Sequence, residues 1–363
     1  MIKFVDVVVD LAYGDCGKGA ITAQILGEER YNVVMRVSGG SNAGHTIYHE
    51  GKQIITHLVP CGFLYNTMSI IGNGCVLNVD KFLAEVAYIK TLGYNTDCIK
   101  IAGNCHIVTN SHIEEENKES RIGTTKQGIG PCYRDKYDRK GILAKDIPEL
   151  KEYIIDLYEF LYDSSSSHSI LVEGAQGHFL DVDYGDYPYV TSSHPGISSV
   201  LANYISYDKI RNVYGVIKPY ETYVGAKEFQ PKNSNHEKYF SNIVKFGSEF
   251  GATTGRQRQI NFLNYPKLIE ALCVTGKLKK LFISKMDVMV QSNFRDVEDN
   301  SYREIFEVTN YCGSIFQVFN YRGELYDLKT HENFIDYMKK TLADYTESIQ
   351  FRYHPNQPVD IKE

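Results

Sequence analysis

Apolar residues along this chain fall into short uninterrupted runs separated by longer stretches of helical period. Val5–Val9 is a continuous apolar run, and Val33–Val37 is a similar one, broken only by Arg36. Ile170–Val172, Val213–Ile217 and Leu281–Ile283 repeat the theme further on. Runs this short and β-branched read as strands buried on both faces. Between them, Lys18–Leu26, Lys81–Thr91, Leu150–Tyr162 and Lys267–Thr275 carry the spacing of amphipathic helices. Strands alternating with helices predict an α/β fold around a large, mostly parallel central sheet, flanked by helices and embellished by loops and small subdomains. Asp163–Ser169 is serine-rich and reads as a solvated connection. No internal repeat and no clear linker interrupts the pattern, so 1–363 is expected to form a single domain.

Ligands in parallel α/β sheets bind beyond the carboxyl ends of the strands. Polar or glycine turns follow Val9, Val37, Val172 and Ile283. The first is Tyr13-Gly14-Asp15-Cys16-Gly17-Lys18-Gly19-Ala20; the second is Ser38-Gly39-Gly40-Ser41-Asn42-Ala43-Gly44-His45-Thr46. Glycine lets main-chain N–H groups approach an anion, and a helix starting there adds the positive end of its dipole. The first turn lacks the spacing of a P-loop, and Ala20 stands where a magnesium-binding hydroxyl would be. A tight strand-to-helix turn would account for its glycines alone. Lys18 at a helix start, however, is unfavourable unless an anion lies beside it. Asp15 beside a phosphate would be repelled unless it binds a metal or takes a proton from a substrate. His45, on a strand-end loop among glycines, completes a pair suited to phosphoryl transfer.

Three later clusters extend this picture. Ile122-Gly123-Thr124-Thr125-Lys126-Gln127-Gly128-Ile129-Gly130-Pro131 offers hydroxyls and main-chain amides, with Arg134, Lys136, Arg139 and Lys140 nearby. That is either a phosphate grip or an ordinary solvated basic loop. Phe250-Gly251-Ala252-Thr253-Thr254-Gly255-Arg256-Gln257-Arg258 puts two guanidiniums on one side of an extended segment, fit for a dicarboxylate or phosphate. In Ser284-Lys285-Met286-Asp287, a carboxylate at a strand end can accept two N–H groups from a guanine edge while the lysine stem lies on the base.

Composition narrows the classes. The 363 residues are 23% charged and 43% hydrophobic, ordinary for a globular protein, and the net charge of −6 argues against general nucleic-acid binding. No stretch is long and apolar enough to span a membrane, and no signal peptide is visible. Eight cysteines without CxxC spacing read as reduced thiols, which points to the cytoplasm, and Cys16 reads as a small neutral filler of its turn.

Taken in order, the motifs resemble the adenylosuccinate synthetase family. The resemblance runs from about Val5 to Asp287. It passes through GDxGKG, GGxNAGHT, Thr56–Gly62, Ile70–Gly74, IGTTxxGIGP, EGAQG from Glu173, Tyr187–Ser193 and EFGATTGRxR. It implies a P-loop-like, GTPase-related fold and a ligase that forms adenylosuccinate from IMP and L-aspartate, with GTP as co-substrate and one Mg²⁺ per site. It implies that Asp15 deprotonates IMP and ligates magnesium with Gly44, that His45 assists phosphoryl transfer, and that Lys18 neutralises phosphates. IMP would be held by Asn42, Thr125, Gln176, Thr191 and, from the neighbouring subunit of a homodimer, Arg139. Aspartate would be held by Thr254 and Arg256. GTP would be held by Gly14, Gly17, Lys18, Gly19, Arg258, Lys285 and Asp287.

This sequence departs from the family pattern at Ser41, Cys16, Ala20, Gln127, Gln257 and Gln259, and is short between Gly141 and Glu173. Its last seventy or so residues resemble the family only loosely. The segment Arg352-Tyr353-His354-Pro355-Asn356-Gln357 replaces the usual guanine loop, leaving GTP and ATP both open as donor, although Asp287 favours guanine. A relative acting on another purine, such as dGMP, is the alternative enzyme; viral relatives of that kind carry a small residue where this chain has Asp15. A nucleotide-binding regulator without turnover is the alternative of another class, against which Asp15, Lys18, His45 and Arg256 argue.

Overall fold

The computed structural model describes residues 1–119, 121–230, 232, 234–288, 316–319, 325–328 and 331–353. The apolar runs form a nine-stranded sheet. Its order is Ile349–Phe351, Lys280–Ile283, Ile210–Ile217, Ile2–Asp10, His168–Glu173, Val33–Arg36, Met68–Ile71, Ile99–Ala102 and Ile154–Ile155. Every pairing in it is parallel. The strand carboxyl ends therefore share one edge, and the turns after Asp10, Arg36, Glu173 and Ile283 meet there. Val5, Val8, Val34, Ile170, Leu171 and Leu281 are fully buried, as strands covered on both faces require.

A second sheet joins Tyr220–Tyr223, Gln259–Asn264, Phe316–Phe319 and Leu325–Leu328. Its first pairing is antiparallel, with Tyr220 opposite Phe262. Ile260, Phe262 and Leu263 pack into the same buried cluster as Val7, Val9 and Val172 of the main sheet. This sheet carries the segment with Arg256 and Arg258 to the carboxyl edge of the first.

Helices fall near the predicted positions. Lys18–Glu28 opens at Gly17, which adopts φ 96°, a left-handed value that glycine tolerates without strain. Val79–Thr91 begins two residues before the expected start because Asn78 caps it, accepting from Lys81 N at 3.0 Å. One expectation fails. Leu150–Tyr162 is not one helix: Pro148–Leu150 is a 3-10 turn, Ile154–Ile155 is an edge strand, and only Leu157–Tyr162 is α-helical. Ile154 and Ile155 pair with Ile101 and Ala102, and Asp156 then caps the helix through Glu159 N at 3.0 Å. Cross-strand pairing overrode a helical period that was real but short. Among the described residues no helix is long and apolar enough to cross a membrane, and seven cysteines are free thiols.

Candidate active site

The turns at the carboxyl edge enclose a cavity of about 1030 Å³. Every site residue expected from the sequence lines it except Arg139. Arg139 lies just beyond the helix Ile129–Tyr137, exposed, with φ 61°.

The floor is built by a residue that the sequence reading did not single out. Asp10 ends the strand Ile2–Asp10 and is 4% exposed. Its Oδ1 accepts from Ala12 N at 3.0 Å and Gly14 N at 3.2 Å; its Oδ2 accepts from Cys16 N at 3.1 Å and Lys18 Nζ at 3.2 Å. One carboxylate thus shapes the first turn and holds Lys18, whose ammonium also donates to Gln176 O. Cys16 is buried, and burial pushes its thiol well above the ordinary range, so it is an inert filler as expected. The helix Lys18–Glu28 has no side-chain cap bond at Gly17 and no acidic residue in its first turn. Its opening N–H groups are therefore directed at the cavity without a competing carboxylate.

His45 starts the strand His45–His49 and is 7% exposed. Its Nδ1 contacts Glu173 Oε1, and Arg36 Nη2 lies 3.2 Å from the same nitrogen. Glu173 is fully buried; it also accepts from Arg36 Nη2 at 3.0 Å and from Cys61 N at 2.8 Å. Burial, then Arg36, lowers the His45 imidazole from 6.5 to about 4 against the opposing pull of Glu173. Burial pushes the Glu173 carboxyl up, but His45, Arg36 and the Cys61 N–H outweigh it and hold it at about 2. At neutral pH the stable pairing is ionised Glu173 accepting from the Nδ1–H of neutral His45. That tautomer leaves Nε2 as the ring's other, unprotonated nitrogen. Gly19 makes the arrangement possible, because a Cβ there would sit 2.6 Å from His45 Cβ.

Asp15, at φ 60°, carries a side chain 34% exposed in the cavity, and its Oδ2 accepts from Arg258 Nε at 2.9 Å. Arg258 also donates to Glu249, a fully buried carboxylate bonded to Lys218 Nζ at 3.2 Å and Tyr220 OH at 2.6 Å. Arg258 is therefore fixed from behind and presents its other edge to Asp15. Burial disfavours its charge, but Asp15 and Glu249 overcome this and raise its pKa. Arg256 donates to Gly123 O at 2.9 Å and to Thr254 Oγ1 at 3.3 Å, while its Nη2 is buried without a partner. Gln176 Oε1 is likewise buried and unpaired, at a residue with φ 51°. Thr253 Oγ1 reaches Ala43 O at 3.2 Å and so ties the arginine segment to the His45 loop. Lys285 Nζ is tied to Gly247 O, which lays its stem along the cavity wall beside Asp287. Residues 354–357 of the altered carboxyl-terminal segment lie outside the described residues; Arg352 and Tyr353 lie within them.

Asp10, Arg36, Glu173, Glu249 and Lys218 were not assigned from the sequence. Glu173 and Glu249 each open a motif already noted, and Asp10 lies shortly before the turn that begins at Tyr13; Asp10, Arg36 and Glu173 each put a charge at the last position of an apolar strand, which is the signal that marks them. Asp181, Asp183 and His194 bring ligand atoms within 4.8 Å of one another. They are hydrogen-bonded among themselves, with His194 Nδ1 3.1 Å from Asp181 Oδ1, and do not line the cavity.

An anion-ready helix start, an imidazole fixed by a buried carboxylate and an arginine-held aspartate, all facing one cavity, belong to enzymes that move phosphoryl groups between bound small molecules. Comparison with known proteins narrows the class. The family model for adenylosuccinate synthetase matches residues 7–150 and 147–298. The chain belongs to the adenylosuccinate synthetase family, and is thereby an enzyme of the ligase class that serves purine biosynthesis. The adenylosuccinate synthetase of Caldanaerobacter subterraneus is 36% identical in an alignment 340 residues long that covers 78% of this chain and 78% of the relative. That of Phytophthora infestans is 35% identical in an alignment 334 residues long that covers 78% of this chain but 60% of the relative. Among solved structures, fully ligated adenylosuccinate synthetase from Plasmodium falciparum has a TM-score of 0.74 at 25% identity, over 98% of both chains. The cyanophage S-2L succinoaminodeoxyadenylate synthetase, bound to dGMP and to dATP as energy donor, has a TM-score of 0.66 over 94% of this chain and 99% of its own. At 21% identity that likeness concerns the fold alone.

Proposed function

We propose that the chain joins IMP to L-aspartate at the expense of GTP, giving adenylosuccinate, GDP and phosphate. The observation that carries this reading is Asp15, a carboxylate inside an anion cradle. A carboxylate there hinders phosphate binding unless it has a task. Removing the N1 proton of a 6-oxopurine is such a task, and it makes O6 the nucleophile that attacks the γ-phosphate. The aspartate amine then displaces phosphate from C6. Phosphoryl transfer of this kind depends on positioning and on neutralising charge. Lys18 and the opening N–H groups of Lys18–Glu28 supply that at the phosphates. His45 Nε2 is available to the transferring group, and an arriving anion raises the tendency of the imidazole to take a proton.

Arg256, with an unpaired Nη2 in the cavity, and Thr254 suit the carboxylates of aspartate. Apart from Arg139, all of the remaining assigned residues line the same cavity: Thr125, Asn42, Gln176 and Thr191 are assigned to IMP, Asp287 and Lys285 to guanine, and Gly14, Gly17, Gly19 and Arg258 to the phosphates. Arg139, exposed and outside its own cavity, is suited to reach the IMP phosphate of a partner in a homodimer. The family uses magnesium, and the residues present fit it. Asp15 offers a partly exposed carboxylate and Gly44 a main-chain carbonyl, the hard oxygen donors that Mg²⁺ takes alongside phosphates. Gly44 is packed so closely that a Cβ there would meet Ala252 Cβ at 2.6 Å. When bound, magnesium would neutralise charge on the donor's phosphates.

The test is a matrix of IMP, dIMP, GMP and dGMP against GTP and ATP, followed by phosphate release and by the ultraviolet spectrum of the succinylated purine. Turnover is expected with IMP and GTP. A preference for GMP or dGMP, or nucleotide binding with no turnover in any combination, would overturn the reading.

A further inference from the structure

At the cavity wall, Arg256 Nη2, Gln176 Oε1 and Ser284 Oγ are buried polar atoms without a hydrogen-bond partner. The first two fall in the aspartate and IMP regions proposed above. Ser284 has no role in that scheme. It follows the strand Lys280–Ile283, is 7% exposed, and its own N–H donates to Ile217 O at 2.9 Å. The main chain is thus pinned to the neighbouring strand, and the hydroxyl stands at the cavity wall. A buried hydroxyl without a partner costs stability and calls for an explanation.

Its surroundings supply one. A Cβ on Gly17 would lie 3.7 Å from Ser284 Oγ, so the hydroxyl faces the residue at which the helix Lys18–Glu28 begins. That helix start is uncapped and free of acidic side chains. On the other side along the chain follow Lys285 and Asp287. The hydroxyl therefore lies between the anion cradle and the residues assigned to the base, where the sugar–phosphate junction of the donor nucleotide passes.

We propose that Ser284 is a nucleotide-binding residue whose hydroxyl donates to a phosphate oxygen of the phosphate donor, the one nearest its sugar. This rests on the proposed placement of the nucleotide, with phosphates at Gly17–Gly19 and base at Asp287. A hydrogen bond to a charged oxygen makes its loss visible as a weakening of about tenfold.

The experiment compares wild type with Ser284→Ala and Ser284→Thr. Ser284→Ala should raise KM for GTP about tenfold and leave KM for IMP and for aspartate unchanged. The same penalty should appear with dGTP, and Ser284→Thr, which keeps the hydroxyl, should restore most of the loss. Without ligand, the alanine variant should melt at the same temperature as wild type or higher, because it removes an unsatisfied buried group. An unchanged KM for GTP overturns the assignment. A penalty present with GTP and absent with dGTP moves the contact to the 2′-hydroxyl and overturns the phosphate assignment. Titration of GDP by calorimetry, free of any turnover, separates the two readings. A wild-type chain that binds no GDP overturns the nucleotide scheme and this contact with it; equal binding by wild type and Ser284→Ala overturns the contact alone.

Discussion

Replacing Glu173 by glutamine tests the buried base of the site. Glu173 has no exposed surface and accepts from His45 Nδ1, Arg36 Nη2 and Cys61 N. Arg36 is 2% exposed, and its Nε and Nη1 already lack partners. Glu173→Gln keeps the shape and removes the charge, so Arg36 is left buried without its counter-ion. Breaking a buried pair from one side costs about 3–5 kcal/mol. For a chain of this size that lowers the melting temperature by about 4–7 °C. The neutral amide also weakens the preference for a proton on His45 Nδ1, since its NH₂ can face that nitrogen as readily as its oxygen, and loss of a correctly held acid–base group costs roughly 10²–10⁴ in kcat. KM for GTP should change little, because Asp10, Lys18 and the helix start are untouched. Steady-state phosphate release and ligand-free melting measure both effects. The pH dependence adds a sign. Glu173 sits at about 2 in the folded chain, against about 4.3 when unfolded. Its stabilisation is complete above the higher value and is lost as pH falls towards the lower, since the unfolded chain then binds the proton first. Glu173→Gln should flatten that acid limb. A variant with near-normal kcat and an unchanged melt would refute the reasoning.

Gly19→Ala puts a Cβ 2.6 Å from His45 Cβ; kcat should fall at least about tenfold by displacement of the ring, with GTP still bound in a direct titration. His45 is held neutral, at about 4 in the folded chain against 6.5 ordinarily. Its share of stability is therefore full above the upper value and lost as pH falls through that window. Denaturant titrations of His45→Asn should show a slope against pH reduced by about one proton there. Asp15→Ala and His45→Ala should each abolish turnover while GTP binding largely persists; either variant retaining near-normal kcat would remove its assigned role. Chelation with EDTA should stop phosphate release, and added Mg²⁺ should restore it; turnover unaffected by chelation would rule out the proposed donor set.

The sheet was legible because its central strands are continuous runs such as Val5–Val9 and Leu281–Ile283, which only a doubly covered sheet can bury. The turns were legible because Gly14–Gly19 and Gly39–His45 concentrate residue types with few other uses. Ile154–Ile155 was not, since a two-residue edge strand is defined by its partner Ile101–Ala102 rather than by its own pattern. The same limit applies to the buried charges. Asp10, Arg36 and Glu173 each end a strand, and each looks ordinary alone. Arg36 meets Glu173 because Val33–Arg36 lies beside His168–Glu173 across more than 130 residues of chain. That adjacency is a property of the sheet order, which periodicity does not encode. Ser284 lay inside a noted cluster, but its missing partner is visible only in three dimensions.

The central claim is that O6 of IMP attacks the γ-phosphate once Asp15 has taken the N1 proton. Turnover of IMP labelled with ¹⁸O at position 6, with GTP, aspartate and Mg²⁺, tests it most directly. The label should leave the purine in the released phosphate. Recovery of the label in water, with unlabelled phosphate, would contradict it.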